Sequence, residues 1–132
     1  MSDNGLITIP SAYGVEETIE RLSSEVKSKG MTIFARVDHA AGAKDAGLSL
    51  RPTLVLIFGN AKGGTPLMQD KQQIGIDLPL KALAWEDASG KTWLSYNDLK
   101  SLAQRHHLNH EVEPVVNTLS AVLGAVLQKA AS

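Results

Sequence analysis

Thr53-Leu54-Val55-Leu56-Ile57-Phe58 constrains this chain most. It is a run of β-favouring residues in which no polar residue alternates with the apolar ones, so it predicts a strand buried on both faces, inside a sheet and not at its edge. Pro52 suits the first position of such a strand, because it fixes φ and has no N–H to offer the ladder. Gly59-Asn60 ends it, since both residues tolerate positive φ. Gly63-Gly64 then reads as loop, and Thr65-Pro66 as the opening of a short helix with Thr65 as N-cap.

The flanking segments supply the rest of a layered domain. Leu6 to Ile9 predicts a short strand stopped by Pro10. Val15, Ile19, Leu22 and Val26 form one apolar stripe of a helix that opens at Gly14, carries Glu16 and Glu17 at its positive end and stops at Gly30. Met31 to Val37 predicts a strand whose alternation puts Met31, Ile33, Ala35 and Val37 under that helix and leaves Phe34 and Arg36 on the opposite face. Asp38 caps a short helix from Ala40 to Gly47. Ile74 to Leu78 predicts another strand, and Leu80–Glu86 and Lys91–Tyr96 a hairpin around Asp87-Ala88-Ser89-Gly90, with Glu86 opposite Lys91. Asn97 or Asp98 caps a helix. Val115, Leu119, Val122, Leu123, Val126 and Leu127 mark the last helix, expected on the sheet beside the first. Hairpins after a βαβ start predict an α+β layer fold, mostly antiparallel, with helices on one face.

The whole chain, 1–132, reads as one domain long enough to bury a core. Thirteen basic residues against fourteen acidic ones leave no positive excess to draw nucleic acid, and 5% aromatics supply few stacking platforms. The absence of cysteine excludes disulfides and thiol chemistry. MSDNGLITIP has neither the basic nor the apolar region of a signal peptide, and Ala121 to Leu127 is too short to span a bilayer. The expectation is therefore a cytoplasmic protein with no nucleic-acid and no membrane partner.

Few residues stand out chemically. His39 follows a strand beside Asp38, and its charge changes near neutrality; the plainer alternative is an exposed residue next to a capping aspartate. Arg51 precedes the apolar strand and suits a bidentate grip on a carboxylate or phosphate, or a structural ion pair with Asp77. Asp77, if buried, needs a partner. Asn60 fits turn geometry better than chemistry. Gly59 to Thr65 lacks the Gly-Lys-Ser/Thr ending of a phosphate loop, although Lys62 stands within it. His106, His107 and His110 have no Cys or acidic cluster to complete a metal site. Neither metal nor cofactor is expected.

Gly14-Val15-Glu16-Glu17-Thr18, Val37-Asp38-His39-Ala40-Ala41, Ala46-Gly47-Leu48, Leu50-Arg51-Pro52-Thr53, Phe58-Gly59-Asn60, Gly64-Thr65-Pro66-Leu67-Met68, Ile76-Asp77-Leu78-Pro79-Leu80 and Ser95-Tyr96-Asn97-Asp98 occur in this order along most of the chain. In these blocks the sequence resembles the domain of unknown function 302 family. The resemblance implies a TATA-binding-protein-like α+β fold, a curved antiparallel sheet backed by helices, without implying DNA binding or any activity. Gly14 departs from the serine usual there. The matching blocks draw attention to His39, Arg51, Asn60, Asp77 and Tyr96 as ligand-binding candidates.

Three functions fit this reading. The first is a homodimeric module that binds or senses a small ligand, a small anion being one candidate. The second is a small enzyme with His39 as acid or base and Arg51 holding an anionic substrate. The third is a structural assembly module. If the strands before His39 and after Arg51 are antiparallel neighbours, those two residues share one end of the sheet and Asn60 lies at the other.

Overall fold

The structure, a computed structural model, describes residues 4–132. The missing leader read from the start of the chain falls partly on residues 1–3, outside the described residues. The order is β1 (Leu6–Pro10), α1 (Val15–Ser28), β2 (Thr32–Asp38), α2 (His39–Asp45), β3 (Thr53–Gly59), α3 (Ala61–Asp70), β4 (Leu80–Glu86), β5 (Thr92–Asn97), α4 (Leu99–Arg105) and α5 (Glu113–Ala131). Short 3-10 segments at Gln72–Ile76 and His110–Val112 join α3 to β4 and α4 to α5. The strands form one antiparallel sheet in the order β1-β5-β4-β3-β2, so the class is α+β as expected.

α1 and α5 lie side by side on one face of this sheet. The stripe Val15, Ile19, Leu22 and Val26 is buried, and so are Leu123, Val126 and Leu127 of α5. They close over Leu54, Leu56 and Phe58 of β3, Ala82 and Ala84 of β4, and Leu94 of β5. A second cluster of Leu67, Ile74, Leu99, Leu102 and Val116 packs α3, α4 and α5 together, and Leu80 touches both clusters. Leu80 opens β4 opposite Phe58, so the second cluster sits where β3 ends.

β3 is interior, but it is buried on one face only. Thr53, Val55 and Ile57 face away from the helices and stay half-buried. Both helices are spent on the other side, and an apolar run by itself does not say what covers each face.

Two registers differ from the expected ones. β2 pairs Ile33 with Phe58 and Ala35 with Ile57, which leaves Phe34 without a partner. This bulge reverses the sides of every residue that follows. Arg36 stands opposite Leu56 on the helix side and hydrogen-bonds Glu16 and Glu20 of α1, while Ala35 and Val37 turn to the open face. The Glu20 hydrogen bond, ahead of the interactions with Glu16, raises the Arg36 pKa. In the hairpin, Thr92 opposes Glu86 where Lys91 was expected. The reason lies in the turn: the Asp87 N–H donates to Lys91 O, and the Asp87 carboxylate accepts from Ser89 N, Lys91 N and Trp93 Nε1, so the loop holds one residue more. Trp85 therefore pairs with Trp93 on the open face, their rings 6.3 Å apart.

Two elements differ from the sequence expectation. Gln72–Ile76 is a 3-10 segment and not a strand; it ends at Asp77, and the following Leu78–Pro79 peptide is cis. α3 begins at Ala61, five residues earlier than an N-cap at Thr65 and a start at Pro66 suggested, because Asn60 Oδ1 accepts the Gly63 N–H at 2.7 Å and caps the helix there.

Candidate functional site

The five candidate residues occupy three separate places. His39 and Arg51 lie at the end of the sheet where β2 stops and β3 starts. The antiparallel pairing expected of those strands is present, yet the two side chains are not brought together by any interaction. Arg51 Nε donates to Glu86 O at 3.2 Å, on β4, the neighbour of β3 opposite to β2. His39 is exposed beside Asp38, whose carboxylate accepts the Ala41 N–H at 2.9 Å and caps α2.

Asn60 and Asp77 lie at the other end, around the exit of β3 and the start of β4. Asn60 is the α3 cap. Asp77 does not pair with Arg51. Its carboxylate meets His106 Nε2 at 2.6 Å and Arg105 Nη1 at 3.1 and 3.2 Å, both at the end of α4. Tyr96 is a core residue on the helix side of β5, beneath Gly124 of α5, where an added Cβ would stand 3.9 Å from its hydroxyl. Burial first, and the nearby Asp98 second, push the Tyr96 phenol above its ordinary pKa.

The Asn60 end carries a cavity of about 270 Å³. Its floor is Leu67 and Leu99; Met31 and Gly59 border it from the sheet, Leu78-Pro79-Leu80 from the segment before β4, and Leu119 from α5. Phe34, the bulged residue, is at the rim and 55% exposed. The first turns of α3, Asn60 to Thr65 with Gly63 and Gly64, form one wall. Asn60 and Thr65 supply the polar side chains, and no charged side chain lines it.

Local sequence explains this shape. Gly63 lets α3 approach α5, since a Cβ there would stand 2.8 Å from Leu119 Cδ2 and 3.2 Å from Asn60 Oδ1. Gly64 faces the cavity: a Cβ there would meet only Leu78 Cδ1 at 3.6 Å and Met68 Cε at 3.8 Å. Apart from Asn60, sequence reasoning missed the lining, because apolar residues look like core wherever they occur. The available signal was two glycines inside a helix, a placement that costs roughly 1 kcal/mol each unless packing or a site requires it.

A larger and more open cleft of about 920 Å³ between the start of α1, α2 and the approach to β3 is lined by Glu16, Asp38, Lys44 and Leu50, among others, but by neither His39 nor Arg51. Among the described residues no group of three or more His, Cys, Asp or Glu side chains is placed to hold a metal ion.

Compared with known proteins, residues 7–126 match the model of the family described as domain of unknown function DUF302. Curated relatives include the Fluoride-specific ion channel FluC 1 of Brucella suis biovar 1 and the Fluoride-specific ion channel FluC 2 of Brucella melitensis biotype 1. Each is 54% identical over 129 residues, covering 98% of this chain but 51% and 48% of theirs. The chain thus spans about half the length of the curated relatives it matches. A solved structure, that of an uncharacterized conserved protein DUF302 from Bacillus stearothermophilus, superposes with a TM-score of 0.85 at 20% identity, over 96% of this chain and 98% of that one.

The names of the Brucella relatives correct two expectations, that the protein has no membrane partner and that it is cytoplasmic. An ion channel works in a membrane, and relatives at 54% identity that carry that name stand against both. Among the described residues no helix is long and apolar enough to cross a membrane. The hydropathy of this chain therefore held no sign of the connection, which came from proteins with further sequence beyond the matched part.

Proposed function

This chain belongs to the DUF302 family, whose description assigns no activity, and from its site we propose a small-ligand-binding module that works as a homodimer beside a membrane. The observation that carries the reading is the cavity at the end of β3, walled by a glycine-bearing helix turn and an apolar floor. A concave, mostly apolar cavity with a few convergent polar groups is the usual form of a small-molecule site. Its volume, about 270 Å³, is close to the lower end of the ordinary range.

Self-association is supported by the open sheet face. Val55, Ile57, Leu83, Trp85 and Trp93 stand there half-buried, outside the core that α1 and α5 cover. Apolar patches of this kind on soluble domains usually meet a partner. The membrane setting is supported by the length of the Brucella relatives. Since no helix described here can cross a bilayer, we assign their channel to the half that this chain does not match. The domain is then an accessory unit that senses a small molecule next to a transport protein.

The enzyme alternative has less support, because His39 and Arg51 make no common site and Arg51 is engaged with Glu86 O. A thermal-shift screen of small molecules tests the proposal, with Gly64→Leu as the variant whose cavity is filled. Compounds that raise the melting temperature of the unaltered protein and not of the variant are expected. A screen in which every compound shifts both equally overturns it and favours the assembly module.

A further inference from the structure

Taking the cavity at the end of β3 as a ligand site, as proposed above, we infer that it accepts a neutral, mainly apolar molecule larger than a benzene ring and bearing a hydrogen-bond acceptor, with Gly64, Phe34 and Asn60 deciding what enters. Charge is disfavoured first. No cationic or anionic side chain lines the cavity, and an ion stripped of water without a partner pays a heavy desolvation cost. An anionic ligand, one of the sequence expectations, would meet only the partial positive charge at the start of α3 and no cationic side chain.

Size follows from volume. A cavity of about 150 Å³ lined by aliphatic and aromatic residues takes benzene. This one is about 270 Å³. Gly64 sets part of that volume. It lies inside α3, where glycine weakens the helix, and no neighbour forbids a side chain, since a Cβ would make only ordinary contacts with Leu78 and Met68. Its backbone φ is not in the region that demands glycine. What the missing side chain provides is open space between Leu78 and Met68.

Asn60 defines the donor contact, beside the Thr65 hydroxyl. Its Oδ1 accepts the Gly63 N–H at 2.7 Å. That bond identifies the other amide atom as the NH2 group, which is a donor only. Asn60 is exposed at the cavity wall, and no described residue takes a hydrogen bond from this nitrogen. It suits a carbonyl or ether oxygen of a ligand and has nothing to offer a second donor. Phe34 completes the rim. The bulge that removes it from the β2–β3 ladder frees its ring from strand pairing, and bulges commonly re-aim a side chain in this way.

Three matched probes test the inference: acetophenone (neutral, with a carbonyl), ethylbenzene (similar shape, no acceptor) and benzoate (an anion). Each is titrated into the full chain with ¹³C-labelled methionine methyls, and Met31 and Met68 report on the cavity. Acetophenone is expected to shift both methyls saturably, ethylbenzene to bind about five-fold more weakly for want of one hydrogen bond, and benzoate more than about ten-fold more weakly. Gly64→Leu is expected to abolish the shifts while the protein still melts cooperatively; if that variant does not fold, Gly64→Ala should weaken acetophenone and keep the fold. Benzoate binding as well as acetophenone overturns the neutral class while the cavity stands as a ligand site. Ethylbenzene binding as tightly as acetophenone removes the role of Asn60. Methyls that no probe moves overturn both the inference and the ligand site beneath it.

Discussion

His106 Nε2 stands 2.6 Å from Asp77 Oδ2, so the carboxylate that precedes the cis Leu78–Pro79 peptide is held by the end of α4 and by no strand. Leu78 and Pro79 border the cavity. The last turn of α4 thereby fixes a segment that shapes the candidate site. The His106 side chain is 10% exposed and that of Asp77 17%, whereas Arg105, the second partner, is 65% exposed.

Asp77→Ala is expected to lower stability by about 1–2 kcal/mol, the range for a charge-assisted hydrogen bond that solvent partly reaches. Arg105→Ala should cost less than about 0.5 kcal/mol, because exposed ion pairs contribute little. Urea midpoints of the two variants compare them directly. Equal losses would show that the exposed pair, and not His106, anchors Asp77.

The neighbouring glycines of α3 should respond in opposite ways. Gly64→Ala has room for its methyl and is expected to gain about 0.5–1 kcal/mol in helix propensity. Gly63→Ala meets Leu119 and the capping Asn60 oxygen, and the strain should cancel that gain or exceed it. Thermal melts of both variants measure the difference; a matching gain at Gly63 would mean that α3 and α5 are not closely packed.

Leu56 is 0% exposed under α1 and α5, and Leu56→Ala should cost about 2–5 kcal/mol. A loss below about 1 kcal/mol in a chemical denaturation curve would contradict an interior β3.

On the opposite face, Leu83→Lys should leave the fold intact and disrupt self-association. Sedimentation at micromolar concentration is expected to find a dimer for the unaltered protein and a monomer for the variant. A monomer in both cases removes the homodimer from the proposed function.

Asp87 makes the hairpin turn sensitive to acid. The Trp93 indole bond first, then the backbone bond from Lys91, lower its pKa from the ordinary 3.8. A carboxylate held below its unfolded value adds stability above that value and loses it as the pH falls through the lowered one. The stability difference between the unaltered protein and Asp87→Asn should be constant from about pH 7 to 5 and close below about pH 4. The Trp93 indole N–H resonance should move over the same acid range. A difference that stays the same down to pH 2 would mean that the carboxylate charge is irrelevant to the turn.

Much of the fold was legible in local sequence, because local rules govern it. The stripe of α1, the caps at Asp38 and Asp98 and the stops at Gly30 and Gly47 depend on residues within one or two turns of each other. The α+β class followed from the order of strands and helices. Tertiary structure decided the sides and the site. A single unpaired residue, Phe34, moved Arg36 to the helix face, and one more residue in the Asp87 turn set Trp85 opposite Trp93. Strand alternation has period two, so a one-residue change in register reverses every later side chain. The candidate site was hidden for a related reason. Met31 and Phe34, Gly64 and Leu78 come from three separate stretches of the sequence and meet only when α3 and the cis Leu78–Pro79 segment close over the end of β3. The polar residues that local reading selected, His39 and Arg51, went to the other end, because antiparallel pairing separates the start of a strand from its finish.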